Sequence, residues 1–176
     1  MIHLITGGSG SGKSAFAENF LVNLGETKRF YIATMYPFDE ESHQRIRRHR
    51  RMRSEKNFTT VECYTNLKKL QFPSDSNVLL ECMSNLVANE IYQEEGAGRL
   101  TVSAVLAGIR YLADMVENLV IVTNEIFSDG MDYDEETARY QEYLGKINES
   151  IAAFADRVTE VVYGIPITIK GDKMRE

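Results

Sequence analysis

The segment Gly7-Gly8-Ser9-Gly10-Ser11-Gly12-Lys13-Ser14 constrains this chain more than any other. It follows an apolar run with Ile2, Leu4 and Ile5, and a helix-like stretch opens at Lys13. The spacing G-x-x-x-x-G-K-[ST] between a strand and a helix is the pattern of a loop that wraps phosphate groups. Glycines let successive backbone N–H groups turn inward, and the helix N-terminus adds its partial positive charge. Lys13 is placed to reach the β- and γ-phosphates, and the Ser14 hydroxyl to ligate Mg²⁺. The bland alternative, a glycine-rich turn without a ligand, does not account for strand, loop and helix standing in register.

The rest of the chain fits an α/β frame around that loop. Strand-like runs lie at Ile2–Thr6, Phe30–Thr34, Thr59–Cys63, Val78–Cys82, Leu119–Thr123 and Val158–Tyr163. Helix-like stretches are Lys13–Leu24, Glu40–Arg53, Met83–Glu94, Thr101–Glu117 and Asp134–Ala155. Such alternation predicts a mainly parallel sheet with helices on both faces. Gly164-Ile165-Pro166 separates Val158–Tyr163 from Ile167–Lys170, which predicts a terminal hairpin with one antiparallel strand. Asp172–Glu176 reads as a frayed tail. With 176 residues and no repeat or linker, the expectation is one nucleotide-binding domain over 1–176.

Composition removes several classes. No apolar run approaches a membrane span, and the signature of a signal peptide is missing. Cys63 and Cys82 are too few for a disulfide scaffold and are not spaced for zinc, so a cytoplasmic location is expected. The chain carries 20 Lys+Arg against 26 Asp+Glu, a net charge of −6. Arg45, Arg47, Arg48, Arg50, Arg51 and Arg53 crowd into a stretch without an acid, and setting these six aside leaves 14 against 26. So acidic a body opposes general nucleic-acid binding, whereas a local anion site fits.

Two further groups carry chemistry. Val78-Leu79-Leu80-Glu81 ends an apolar run on a carboxylate, as the magnesium shell of a phosphate loop requires. Thr123-Asn124-Glu125 likewise sets polar groups at the carboxyl edge of the sheet, where α/β proteins bind ligands. Glu40–Arg53 has one strongly apolar position before Met52, namely Ile46, so core packing does not explain it. Arg45, His49 and Arg53 share one helical stripe. Flanking guanidiniums keep such an imidazole neutral and able to attack phosphorus. The same residues also read as a solvated basic helix or a nucleic-acid patch.

Fainter signals remain. Glu62 ends the third strand near the same edge, and Asp132 or Asp134 suits a helix cap better than a metal cluster with Asp129. Tyr133, Tyr140 and Tyr143 read as core or interface aromatics, Cys63 and Cys82 as small buried hydrophobes, and His3 as a strand residue without an evident partner.

Taken together, these residues resemble the bifunctional adenosylcobinamide kinase/adenosylcobinamide-phosphate guanylyltransferase family of cobalamin biosynthesis. The likeness runs through Gly7–Ser14, Tyr31-Ile32-Ala33-Thr34, and the R-I-x-x-H-R-x-x-R segment at Arg45, Ile46, His49, Arg50 and Arg53. It continues through Thr60 and Glu62, Leu79–Cys82, Thr123–Glu125, Gly145, Asn148, Ala155-Asp156 and Gly164-Ile165-Pro166. It implies a RecA-like P-loop NTPase fold and two reactions. A purine nucleoside triphosphate, ATP or GTP, phosphorylates the aminopropanol hydroxyl of adenosylcobinamide. GTP then donates GMP to the resulting phosphate through a GMP-histidine.

By position, the resemblance makes His49 the carrier of GMP, with Lys13 as its catalytic partner. It lays the nucleotide against Gly7 to Ser14, Ala33, Thr34, Met35, Arg50, Arg51, Met52, Arg53 and Glu62, and gives Ser14 and Glu81 the Mg²⁺ shell. Ser9-Gly10 stands where the family usually carries Ala-Arg, which removes one phosphate-side cation. The implied partners are a corrinoid and further copies of the chain, with a trimer as the assembly that the resemblance implies, and no nucleic acid and no membrane span. Two rivals stay open on the residues themselves: a P-loop kinase that uses His49 as a phosphate ligand, and a nucleotide-switched binding module.

Overall fold

The computed structural model describes residues 1–25, 27–37, 56–127 and 133–171. Its strands are β1 (Ile2–Thr6), β2 (Lys28–Ala33), β3 (Phe58–Glu62), β4 (Ser76–Leu80), β5 (Asn118–Val122), β6 (Arg157–Val162) and β7 (Ile165–Lys170). The helices are α1 (Lys13–Asn23), α2 (Met83–Tyr92), α3 (Thr101–Met115) and α4 (Glu135–Phe154). The strands form one sheet in the order β3-β2-β4-β5-β1-β6-β7. All neighbours pair parallel except β6 and β7, which are antiparallel.

Alternation along the strands sorts the core into two layers. Leu4, Ile32, Val78, Leu80, Leu119, Ile121 and Val158 point to one face, where they meet Leu86, Ile109, Leu112, Leu144 and Ile147 of α2, α3 and α4. Ile5, Tyr31, Leu79, Val120, Val122 and Val161 point to the other and meet Ala17, Phe20 and Leu21 of α1. The connection β1–α1–β2 runs one way along the sheet. Those through α2, α3 and α4 run back on the opposite face, as right-handed crossovers demand. The carboxyl ends of β1, β2, β4 and β5 therefore share an edge on which chain direction reverses beside β1, the position where such sheets bind ligands.

The four expected helices that fall within the described residues end within a few residues of the observed ones, but β2 and β4 each start two residues before the expected runs. Their first residues are polar and do not look like strand; Arg29 and Asn77 find hydrogen-bond partners, whereas the buried Ser76 hydroxyl has none among the described residues. Arg29 lies beneath the end of α1, where its guanidinium donates to the Leu21, Val22 and Gly25 carbonyls that the helix leaves open. Asn118 donates to Asn77 at 2.7 Å, and Asn77 in turn donates to Thr27. The terminal hairpin is tighter than expected: Ile165 and Pro166 belong to β7, and the turn is Tyr163-Gly164 alone. A proline is admissible in β7 because it is an edge strand. Asp134 caps α4 by accepting from the Thr137 N–H at 2.8 Å, whereas Tyr133 is 41% exposed and not a core aromatic. Glu40–Arg53, Asp129, Asp132 and 172–176 lie outside the described residues.

His3 has partners that its strand context did not reveal. It is fully buried, its Nε2 lies 2.8 Å from Thr159 Oγ1, and its ring meets Phe20 edge-on at 4.7 Å. Burial, with help from nearby Arg157, lowers its pKa from 6.5 to about 4. Below pH 6.5 the unfolded chain takes up a proton that the folded chain refuses, so stability falls from there down to about pH 4 and is flat above. The lowering is worth about 3 kcal/mol in full. Urea midpoints measured from pH 8 to 4.5 should fall more steeply for the wild type than for His3→Gln. Parallel curves would disprove a buried neutral imidazole.

Candidate nucleotide-binding site

The loop between β1 and α1 is closed by glycine-specific geometry. Gly12 takes φ 90°, and a Cβ on Gly7 would stand 2.5 Å from the Val161 carbonyl oxygen, so neither position admits a side chain. The Ser11 N–H donates to the Gly8 carbonyl at 3.2 Å, and the Phe16 N–H donates to Gly12, which starts α1. Gly12 is the N-cap and offers no side-chain cap, so the first N–H groups of α1 are left for an incoming anion. The carboxyl edge of β5 clamps the loop from the side, through Glu125 N–H to Gly7 O at 3.1 Å.

Lys13 is 8% exposed and folds back so that Nζ donates to the Gly8 carbonyl at 2.9 Å. Burial lowers its pKa, with neighbouring Cys82 acting in the opposite direction. A triphosphate would supply counter-charge to an ammonium held in so dry a place. Cys82 follows Glu81, and burial pushes its thiol up, so it stays protonated. Contrary to the reading as a plain buried hydrophobe, it borders the phosphate loop. Cys63, by contrast, is a core residue.

The predicted residues at the ends of β2, β3 and β4 converge on this edge. The Glu81 N–H continues the ladder by donating to the Ile32 carbonyl at 3.2 Å, which sets its half-buried carboxylate beyond the last paired residue of β4. Ala33 and Thr34 are buried and Met35 is half-buried. Thr34 Oγ1 donates to the Cys82 carbonyl at 2.9 Å, and Asn89 Nδ2 donates to the Thr34 carbonyl at 2.8 Å. Glu62 is exposed opposite Ala33 and accepts from Tyr64 Oη at 3.0 Å. Tyr36 and Tyr64 meet edge-on at 5.1 Å and line a cavity of about 280 Å³ with Thr65, Lys69 and Gln93. Asn124 Nδ2 donates to Ser84 Oγ at 2.8 Å, so the β5 and β4 edges are tied together. Ser84, Asn89, Tyr36 and Tyr64 were not singled out by pattern, since each acquires its role from a partner distant along the chain or outside any motif.

Arg45, His49, Arg50, Arg51, Met52 and Arg53 lie outside the described residues. Ser14 is exposed at the start of α1, and its hydroxyl together with the Glu81 carboxylate is a hard-oxygen donor set that suits Mg²⁺.

The parallel sheet and its loop define a protein of the P-loop nucleotide-binding class. A sequence model of cobinamide kinase / cobinamide phosphate guanyltransferase, the CobU family, matches residues 3–169. The chain is 32% identical to the bifunctional adenosylcobalamin biosynthesis protein CobU of Escherichia coli, over 97% of this chain and 100% of that one. It is 30% identical to the protein of the same name from Salmonella typhimurium, at the same coverage. Among solved structures, a KaiC-like protein from Pyrococcus horikoshii is similar at a TM-score of 0.50 and 15% identity, over 90% of this chain and 71% of that one. That likeness concerns the fold alone. The chain belongs to the CobU family, which makes it an enzyme with kinase and guanylyltransferase activities on cobinamide substrates.

Proposed function

We propose that residues 1–176 work as one nucleotide-binding unit of cobalamin biosynthesis, in the cytoplasm, that acts on adenosylcobinamide in two steps. The observation that carries this reading is the formed phosphate loop with Lys13 in it, facing the Glu81 and Asn124 edge, in a chain of this family. In the first step the aminopropanol oxygen attacks the γ-phosphorus of ATP or GTP. The nucleoside diphosphate leaves and the hydroxyl proton is released. Lys13 and the free N–H groups of α1 hold the β- and γ-oxygens and absorb the charge that develops on them. Ser14 and Glu81 would hold Mg²⁺, which would supply further charge neutralisation there.

In the second step His49 attacks the α-phosphorus of GTP, the α–β bond breaks, and pyrophosphate leaves. The phosphate oxygen of adenosylcobinamide-phosphate then attacks the same phosphorus, the P–N bond breaks, and His49 is restored. Arg50, Arg51, Met52 and Arg53 line the guanine nucleotide, with Ala33, Thr34, Met35 and Glu62 on the nucleoside. Splitting the transfer lets two bulky partners be positioned one at a time. The working form is a homo-oligomer, a trimer in line with the family resemblance.

The test uses GTP labelled separately at the α- and γ-phosphates, with Mg²⁺ and adenosylcobinamide. The γ-label should appear in adenosylcobinamide-phosphate. The α-label should appear first on denatured protein and then in a corrinoid nucleotide. A γ-label that transfers with no α-label on protein or corrinoid would leave a kinase alone.

A further inference from the structure

The turn between β6 and β7 departs at one residue from what a two-residue hairpin asks of its sequence. Tyr163 and Gly164 both take positive φ, 51° and 80°. Asn-Gly, Asp-Gly or Gly-Gly meet that requirement with little strain. Tyrosine does not, because its Cβ crowds the carbonyl in the left-handed region. Its ring recovers nothing from packing, since Tyr163 is 94% exposed. A strained position that holds an aromatic ring in water points to a ligand the chain itself does not contain.

The turn is also fastened to the phosphate loop. The Gly164 N–H donates to the Ser11 carbonyl at 2.8 Å, and a Cβ on Gly12 would come within 3.4 Å of Gly164 Cα. In the strand order this tip lies on the β6 side of β1, whereas Asn124 and Glu81 lie on the β5 and β4 side. A triphosphate in the loop that turns its γ-phosphate towards Glu81 therefore extends its nucleoside towards Tyr163.

We infer that Tyr163 is the stacking platform for the base of the nucleotide that serves the kinase step. This inference rests on the two-step reading above. The GTP that donates GMP has its nucleoside assigned to Ala33, Thr34, Met35 and Glu62, at the ends of β2 and β3. Those strands are separated from β6 by β4, β5 and β1. One phosphate loop then serves two nucleoside positions on opposite flanks, and a substitution at Tyr163 touches one of them.

The experiment compares Tyr163→Asn and Tyr163→Phe with the wild type in the two half-reactions. Asn suits the turn better than Tyr, so the thermal midpoint should hold or rise while the KM for ATP in corrinoid phosphorylation rises roughly tenfold. The kcat of that step and the GTP dependence of protein labelling should not change, and Tyr163→Phe should behave as wild type. An unchanged KM for ATP in Tyr163→Asn, or an equal rise in both half-reactions, overturns the assignment. So does a change of particle mass on light scattering, which would give the ring to a contact between copies beside the exposed Ile165, Ile167 and Ile169. If the wild type takes no α-label, the two-step reading fails while the ATP measurement still reports on Tyr163.

Discussion

Lys13→Met should leave the protein folded and remove both transfers. The ammonium is nearly buried, bonds to the Gly8 carbonyl, and is held below its usual pKa by burial. Methionine keeps most of the stem and deletes a charge that the empty loop solvates poorly. The thermal midpoint without nucleotide should therefore stay level or rise. In the proposed mechanism the same charge is what the β- and γ-oxygens meet as negative charge accumulates on them. Its loss should lower phosphorylation and GMP transfer each by on the order of 10³-fold. The midpoint shift produced by Mg²⁺ and nucleotide in the wild type should largely vanish in the variant. Retention of either activity within tenfold would show that the loop binds phosphate without using this amine.

The loop was legible because its requirement is local. Positive φ at Gly10 and Gly12, and the steric limit at Gly7, demand glycine at particular spacings, and those spacings survive in a single sequence. The mainly parallel sheet was legible for a similar reason, since buried strands show as short apolar runs between amphipathic helices. The amino ends of β2 and β4 were not. Arg29 and Asn77 are buried there by partners that no periodicity announces. The rear of the site was hidden likewise. Asn89 and the Thr34 carbonyl it holds stand 55 positions apart, and Asn124 reaches Ser84 across 40. Tyr36 and Tyr64 come together only because β2 and β3 pair in parallel with Ala33 opposite Glu62. Such contacts are products of topology, and a pattern of residue types does not encode them until the strand order is known.

His49→Ala separates the two chemistries. As proposed, both steps use the phosphate loop, so any defect in the loop should lower both. In the proposed scheme only the second requires a nitrogen nucleophile at the α-phosphorus. Phosphorylation of adenosylcobinamide by ATP should therefore persist within a few-fold in His49→Ala. Labelling of the protein by α-labelled GTP should disappear, and GMP transfer should fall by at least about 10⁴-fold, the scale expected when a covalent nucleophile is deleted. The wild-type adduct should survive denaturation and alkali and be lost in mild acid, because protonation of the phosphoramidate nitrogen makes imidazole a good leaving group. A variant that still transfers GMP at the wild-type rate would mean direct attack of the corrinoid phosphate on GTP. Arg45, Arg50, Arg51 and Arg53 would then act only to neutralise the phosphates, and the proposed division of one transfer into two would not hold for this chain.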